Sequence, residues 1–220
     1  MLPKLVGKDL TLALRAVVFD YGMVLSNPPN LEARKEMERI TGLASEDFET
    51  RYWVDRLAYD RGDLTGIAFW TKFAADAELK LTADELAQLS AFDAKMWTTT
   101  NETMLQWHQK LKAAGIRTGI LSNMGDNVLE RILEIFAWVE DFDALVWSFQ
   151  HGIVKPDAAI YNLVVEKVGV PAEETLFLDD RLENIEGAER VGIRGLQFST
   201  VEQLRKDLKT TGYDAWLPMP

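Results

Sequence analysis

The chain has 220 residues, of which 47% are hydrophobic and 27% charged, a composition typical of a folded globular protein. Its formal net charge of −11 argues against nucleic-acid binding, which depends on a basic surface. The chain contains no cysteine, which excludes a disulfide framework and a thiolate metal site, and its apolar runs are too short to cross a bilayer. We therefore expect a cytoplasmic protein that does not bind membranes.

The first predicted strand lies within AVVFDYGMVL, residues 16–25, where an apolar run ends at a carboxylate. Asp20 ends this run, and Gly22 follows two residues later. Asp and Gly are common turn residues, so the pair could simply end a strand. The polar residues at the ends of later strands favour a functional role for Asp20.

The segment between the first strand and IRTGILS is about a hundred residues long, whereas a crossover between parallel strands needs only about a dozen. The excess has a helical pattern, and Thr82 and Glu85 have the spacing of a capping box. The predicted helices are LEARKEMERITG, SEDFETRYWVDRLAYDRG, TGIAFWTKFAADAELK and TADELAQLSAFDAKMW. We therefore predict a helical cap over residues 28–97, inserted into a core of residues 1–27 and 98–220.

The second half of the chain alternates helical patterns with short apolar strands. Gly115, Gly169 and Gly192 end three of the helical patterns, where a left-handed residue commonly ends a helix. This alternation predicts parallel strands joined by crossover helices, and strands that are apolar throughout indicate burial on both faces. The predicted fold class is α/β, a Rossmann-like doubly wound parallel sheet with the inserted cap. The first dozen residues and the tail GYDAWLPMP are predicted to lie on the surface.

Polar side chains gather at the predicted carboxyl ends of the strands, and in a parallel sheet this edge is where ligands bind. They are Asp20, Ser122, Asn123, Lys155, Asp179 and Asp180. Crowded carboxylates repel one another unless a hard cation neutralises them, and oxygen ligands favour Mg²⁺. An aspartate in line with a bound phosphate can attack it, while a hydroxyl and an ammonium hold the phosphate oxygens. The set therefore indicates phosphoryl transfer.

Four segments, taken in order, resemble the motifs of the haloacid dehalogenase superfamily, whose members are mostly Mg²⁺-dependent phosphatases. They are FDYGMVL, ILSNMGD, GIVKPDAAIY and LFLDDRLENIEGAERVG, and the resemblance covers about residues 14–200. It implies that Asp20 is the nucleophile and that Ser122 and Lys155 act with it in catalysis. It also implies that Ser122, Asn123 and Lys155 bind the phosphate. The implied activity is hydrolysis of phosphomonoesters through an aspartyl-phosphate intermediate.

The same resemblance implies a Mg²⁺ site. Its ligands are Asp20, the backbone carbonyl of Gly22 and Asp180, with Asp179 in support. Asn184 could orient these ligands, or it could face solvent on a helix. Most phosphatases of this superfamily carry a second aspartate, the general acid, at the position of Gly22. A subgroup similar to sugar-1-phosphate phosphatases shares the glycine, which favours small metabolites such as sugar phosphates. Because Gly22 supplies no acid, we expect either a leaving oxygen that needs little protonation, as in anomeric sugar phosphates, or an acid borrowed from the cap or the substrate.

Two alternatives stay open. A 2-haloacid dehalogenase uses the same aspartate to attack carbon and needs no metal. Its first motif typically has tyrosine two residues after the nucleophile, whereas Tyr21 directly follows Asp20. The other alternative is a catalytically weak member of the superfamily that binds a partner or a metabolite, and Gly22 is the feature that supports it.

The cap residues have two readings. The aromatic residues of the cap have the spacing of core positions, and one or two of them could line a substrate pocket. They are Trp53, Tyr59, Phe69, Trp70 and Trp97. Arg51, Arg56 and Arg61 could contact an anionic substrate, or they could form a solvated helix face. The sequence does not separate these readings.

Overall fold

The computed structural model describes residues 13–220 and contains a parallel sheet of five strands in the order β3-β2-β1-β4-β5. The strands are β1 (Ala16–Phe19), β2 (Arg117–Ser122), β3 (Ala144–Trp147), β4 (Thr175–Asp179) and β5 (Arg194–Gln197). β1 is central, and its Val18 pairs with Gly119 on one side and Phe177 on the other. The predicted parallel α/β sheet is therefore confirmed. The surface position predicted for the first dozen residues lies outside the described residues.

Helices cover both faces of the sheet. They are α6 (Glu102–Ala113), α7 (Asp126–Ile135), α9 (Ala158–Val168), α10 (Leu182–Arg190) and α11 (Val201–Thr211), with a short α8 (Ser148–His151) after β3. Val17 and Phe19 of β1 pack in one buried cluster with α6, α7 and α11, and Val18 packs in another with α9 and α10. This two-sided burial explains why the strands are apolar throughout. Within residues 13–220, no helix combines the length and hydropathy needed to span a membrane.

The glycines that end helical patterns have the predicted conformation. Gly115, Gly169 and Gly192 have φ angles of 76°, 70° and 91°, in the left-handed region that glycine enters without steric cost. Each follows a helix and precedes the segment that leads into the next strand. These turns return the chain to the sheet, so successive strands start at the same edge and end at the opposite one.

Five helices of the predicted cap stand outside the sheet. They are α1 (Leu31–Thr41), α2 (Ser45–Val54), α3 (Arg56–Arg61), α4 (Gly66–Asp76) and α5 (Ala83–Met96), and they share a separate apolar cluster. Thr82 and Glu85 form the predicted capping box at the start of α5. The single helix predicted over SEDFETRYWVDRLAYDRG is wrong, because the backbone at Asp55 departs from helical geometry and separates α2 from α3. The division at residues 28 and 97 stays a prediction.

The cap helices lie against the carboxyl edge of the sheet. The Asp126 carboxylate at the start of α7 accepts a hydrogen bond of 2.9 Å from the Gly66 backbone N–H. The Asn127 side-chain amide donates to the Ser90 carbonyl over 2.6 Å. A side chain at Gly125 would have its Cβ 2.1 Å from the Tyr59 ring, so only glycine permits this close packing. These contacts hold the cap over the ends of the central strands.

The end of the carboxyl-terminal tail packs on the core, so its predicted surface position is wrong for Leu217 and Pro220, whereas Asp214 and Ala215 are exposed. Leu217 is buried in the cluster that contains Trp107 of α6. The Trp107 indole N–H donates to the Pro218 carbonyl over 2.5 Å, and the Arg205 guanidinium donates to the Pro220 carbonyl over 2.9 Å. Trp107 and Leu217 belong to one buried cluster, and the burial of this apolar surface explains the position of the tail.

His108 on α6 is buried against the sheet. Its ring stacks on Phe142 with 3.7 Å between the centroids, and its Nε2 lies 3.2 Å from the Thr118 hydroxyl. Burial, together with the nearby Lys112 ammonium, lowers the pKa of His108 from 6.5 to about 4. The folded chain therefore holds this ring neutral at pH values where the unfolded chain protonates it.

This lowered pKa predicts a loss of stability in acid. Between pH 6.5 and pH 4 the unfolded chain binds a proton at His108 that the folded chain does not, so the free energy of unfolding falls as pH falls. His108→Phe should flatten this part of the pH profile of urea unfolding. The prediction would be contradicted if the free energy of unfolding changed between pH 7 and pH 4.5 by the same amount in the variant as in the unaltered chain.

Candidate active site

Asp20 stands where β1 ends and remains tied to the sheet. Its backbone N–H donates to the Leu178 carbonyl over 2.8 Å, so the pairing with β4 continues into the site. The carboxylate is 7% exposed and accepts a hydrogen bond of 2.7 Å from the Tyr21 backbone N–H. These two hydrogen bonds therefore hold Asp20 in place at the carboxyl end of β1.

The chain after Asp20 forms a turn over Tyr21–Leu25, whose backbone is not helical at Gly22 and Met23. Met23 has a φ angle of 61°, an uncommon left-handed conformation for a residue with a side chain. The Ser26 hydroxyl accepts from the Met23 N–H over 3.1 Å, and the Ser26 N–H donates to the Tyr21 carbonyl over 2.8 Å. These bonds fix the turn that places Gly22 beside the Asp20 carboxylate.

Gly22 is not required by the backbone. Its φ of −61° and ψ of 134° are available to any residue, so conformational freedom does not explain the glycine. An added Cβ would meet only the Trp97 ring, at an ordinary contact distance of 3.6 Å. Neither backbone conformation nor crowding therefore requires glycine at position 22, and its main consequence is that the site lacks a side chain there.

The Lys155 ammonium joins two strand ends. It lies 2.9 Å from an Asp20 carboxylate oxygen and 2.6 Å from an Asp179 carboxylate oxygen, and the residue is only 3% exposed. Burial lowers the pKa of this ammonium, but the Asp179 and Asp20 carboxylates outweigh that effect and raise the pKa above its usual range. Lys155 therefore stays charged between the two acids.

Asp179 ends β4 and is fully buried. Besides Lys155, it accepts hydrogen bonds from the Asn184 side-chain amide at 2.9 and 3.0 Å and from the Arg181 backbone N–H at 2.9 Å. Of the two alternatives for Asn184, the structure favours the one that orients a ligand, since this side chain is buried on Asp179. Asp179 is consequently the most tightly held carboxylate of the site.

Asp180 completes a cluster of three carboxylates. One oxygen each from Asp20, Asp179 and Asp180 lie within 4.8 Å of one another, close enough to hold a single metal ion. The Lys155 ammonium balances at most one of their negative charges, and the Arg181 guanidinium also acts on Asp180. Burial raises the pKa of Asp20 to about 7 in spite of the Lys155 charge, and burial and the Asp179 charge raise the pKa of Asp180. A divalent cation fits both the charge and the oxygen donors.

The structure also brings Ser122 and Asn123 to this edge. Ser122 is buried at the end of β2 and lines the same cavity as Asp20 and Lys155. The Asn123 side chain bonds the Lys155 backbone twice, accepting from its N–H over 2.8 Å and donating to its carbonyl over 3.1 Å. Asn123 therefore positions Lys155 in this structure, and its predicted role in phosphate binding stays a prediction.

A cavity of about 720 Å³ opens above the carboxylates, between sheet edge and cap. Of the cap aromatics, Trp53 and Trp97 line it, while Tyr59, Phe69 and Trp70 are buried in the cap cluster.

Two charged cap residues, Arg56 and Asp60, also line the cavity. The Arg56 guanidinium is buried and lies 3.0 Å from the Asp60 carboxylate, so the solvated helix face offered for Arg56 is wrong. The i, i+4 spacing of Arg56 and Asp60 in the sequence indicates an ion pair on one helix face, but this spacing does not distinguish a buried pair from an exposed one.

Comparison with known proteins agrees with this geometry. Residues 12–192 match the family described as haloacid dehalogenase-like hydrolase. The chain belongs to this hydrolase family. The hydrolase is 30% identical over 212 residues to Phosphatase MT3486 of Mycobacterium tuberculosis, covering 91% of this chain and 96% of the relative.

Further similarities come from a dehalogenase and a solved structure. The hydrolase is 27% identical to the (S)-2-haloacid dehalogenase of Pseudomonas fluorescens over 52% of this chain and 50% of that protein. It also shares its fold, with a TM-score of 0.72 and 20% identity, with the HAD family enzyme bt-2542 of Bacteroides thetaiotaomicron. That structure, a complex with magnesium and inorganic phosphate, is matched over 85% of this chain and 95% of the other.

Removing the central ammonium should destabilise the hydrolase strongly. In Lys155→Met, Asp20 and Asp179 face each other without a counter-ion, and breaking a buried ion pair costs about 3–5 kcal/mol. Lys72→Met is the matched control, because Lys72 pairs with Asp55 and Asp76 at an exposed position, where such pairs add little to stability. Urea unfolding with a chelator present measures the free energy of unfolding of both variants. An equal loss of this free energy in the two variants would contradict the account.

Proposed function

We propose that this hydrolase is a Mg²⁺-dependent phosphomonoester hydrolase. The observation that carries the proposal is the approach of the Asp20, Asp179 and Asp180 carboxylates to within 4.8 Å beside the buried Lys155 ammonium. A purely structural role would not require three acids at one sheet edge. The likeness to Phosphatase MT3486 along nearly the whole of both chains supports the proposal.

The residues that would hold the metal are Asp20, the Gly22 carbonyl and Asp180, with Asp179 in support. When bound, Mg²⁺ draws a phosphate oxygen towards the site and neutralises negative charge there. Asp179 contributes mainly through its bonds to Lys155 and Asn184, which fix the two strand ends relative to each other. The magnesium in the bt-2542 complex supports this choice of cation.

The chemistry would start at the Asp20 carboxylate, which attacks phosphorus and expels the alcohol oxygen of the substrate. The new bond is an aspartyl phosphate, and water then attacks its phosphorus, which releases inorganic phosphate and restores the carboxylate. Ser122 and Lys155 would hold the non-bridging oxygens while negative charge spreads over them. The cap, which is hydrogen-bonded to the start of α7, would limit the access of bulk water to the bound substrate.

The substrate is a small phosphorylated metabolite whose leaving oxygen needs little protonation, because Gly22 supplies no acid. The sugar phosphates named from the sequence satisfy that condition when the phosphate is anomeric. The lining of the cavity away from the carboxylates, however, is mainly apolar.

Dehalogenation is the second candidate, and the likeness to the Pseudomonas fluorescens dehalogenase is the observation that favours it. That reaction uses an aspartate on carbon and needs no metal. The three clustered carboxylates favour the phosphatase, because a divalent cation would balance their charge, whereas a metal-free attack would leave Lys155 as their nearest counter-charge. Assays of 2-chloropropionate and of an aryl phosphate, each with and without Mg²⁺, separate the two reactions.

Loss of the nucleophile should abolish turnover. Asp20→Asn should lower the rate on 4-nitrophenyl phosphate by about 10⁴-fold or more, because no other group can form the covalent intermediate. Chelation of Mg²⁺ should abolish hydrolysis by the unaltered enzyme, and added Mg²⁺ should restore that activity. Asp214→Asn, at an exposed carboxylate in the tail, is the control and should keep full activity. Turnover that survives in Asp20→Asn would refute the proposal.

Restoring an acid at position 22 should help substrates with poor leaving groups. Gly22→Asp should raise the rate on simple alkyl phosphates relative to aryl phosphates, since general acid catalysis is typically worth about 10²–10⁴-fold. A Cβ at this position would lie at an ordinary contact distance of 3.6 Å from the Trp97 ring. Gly22→Asn has the same size without the acid and serves as the control. If the two variants show the same alkyl-to-aryl ratio, the role assigned to this position is wrong.

A further inference from the structure

The cavity above the carboxylates has a polar end and an apolar remainder. The polar end is the set of strand-end residues that would handle the phosphate. Away from it, the lining is formed mainly by apolar side chains: Met23, Pro29, Trp53, Leu57, Trp97 and Val128. A cavity of about 720 Å³ exceeds what a phosphate group alone requires. The rest of its space is therefore shaped for the alcohol part of the substrate.

Trp53 and Leu57 expose large apolar surface at this cavity. Trp53 is 48% exposed and Leu57 is 50% exposed, and both line the cavity from the cap side. The Trp53 indole N–H already donates to the Glu49 carboxylate over 2.5 Å, so the ring presents its apolar surface. Exposed large apolar side chains grouped at a cavity commonly mark a binding site for an apolar group.

The charged residues of the cap side are paired with one another. The Arg56 guanidinium lies 3.0 Å from the Asp60 carboxylate and 3.2 Å from the Asp93 carboxylate. Arg181 at the rim is paired with Glu183. A second anionic group on the substrate would have to compete with these carboxylates for each cation. The hydroxyl groups of a sugar would face mainly apolar side chains.

Gly22 adds an independent argument about the same alcohol. The site has no acid at this position to protonate the leaving oxygen, and the Trp97 ring lies 3.6 Å from where a Cβ would stand. A phenolic oxygen, with a pKa of about 10, leaves far more readily than an alkoxide. An aromatic alcohol therefore fits both the chemistry of Gly22 and the aromatic wall beside it.

We propose that the substrate of this site is the phosphate monoester of an apolar aromatic alcohol. The proposal rests on the proposed function for the phosphate end of the site, and it adds the class of the leaving group. The ester oxygen departs as a phenolate while Asp20 takes the phosphoryl group, and the ring lies among Trp53, Leu57 and Trp97.

Binding of phosphonates tests this class without relying on turnover. Methylphosphonate and 2-naphthylphosphonate carry the same anionic group and differ in apolar area, and neither can be hydrolysed at the phosphorus. Calorimetry on the Mg²⁺-loaded full chain should show 2-naphthylphosphonate binding about a hundredfold more tightly. Affinities within about threefold of each other would overturn the inference, even if the enzyme proves to be a phosphatase.

Variants locate the binding surface. Trp53→Gln and Leu57→Gln should each reduce the ratio of the two affinities by about fivefold or more, because each removes apolar lining. Val54→Gln is the matched control, since Val54 is 69% exposed at the end of α2, beside Trp53, and does not line the cavity. A fall of equal size in the control would overturn the assignment.

Turnover separates this inference from the proposed function. We expect Mg²⁺-dependent hydrolysis of 2-naphthyl phosphate to exceed that of glucose 6-phosphate. Selective binding of the naphthyl compound with no hydrolysis of any monoester would overturn the proposed function and leave the ligand class standing. Equal hydrolysis of both substrates would overturn the inference about the alcohol.

Discussion

The Lys155 ammonium lies between carboxylates from two neighbouring strands, and the arrangement of the whole site depends on these two contacts. Asp20 and Asp179 end adjacent parallel strands, so the sheet brings their carboxylates together although like charges repel. Two buried carboxylates at this separation would repel each other strongly without a cation. Asn123 fixes the Lys155 backbone and Asn184 fixes Asp179, so the cation and its partner are both held.

This arrangement leaves negative charge at the mouth of the site, where Asp180 is only half-buried. The proposed divalent cation would balance that charge, and a phosphate would then approach a locally neutral site despite the net charge of −11 on the chain. Gly22 and the apolar cavity act on the other half of the substrate. The first removes the usual source of a proton, and the second favours an alcohol that needs none.

Much of the core could be predicted from the sequence because its signals are local. An apolar run that ends at Asp20 or Asp179 identifies a buried strand, and the parallel topology then brings these residues to one edge. Glycines with positive φ, such as Gly169, fix the helix ends in the same way. The four motifs led to the family for the same reason, since each lies at a strand end or in the loop that follows.

The features that could not be predicted depend on contacts between distant parts of the chain. The pairing of Arg56 with Asp93 and the burial of Leu217 both join elements far apart in sequence. The two bonds from Asn123 to Lys155 are another example, since neither residue shows from its neighbours that the other needs positioning. Which aromatic residues line the cavity, Trp53 among them, likewise follows from how the cap lies on the core.

The central claim is that one divalent cation sits among carboxylates contributed by separate strand ends. Anomalous diffraction from crystals of the enzyme grown with Mn²⁺ tests it most directly, because the ion itself is located. The account predicts a single strong peak about 2.1–2.2 Å from carboxylate oxygens of both Asp20 and Asp180. A well-ordered site with no peak there, or a peak that touches neither carboxylate, would contradict it.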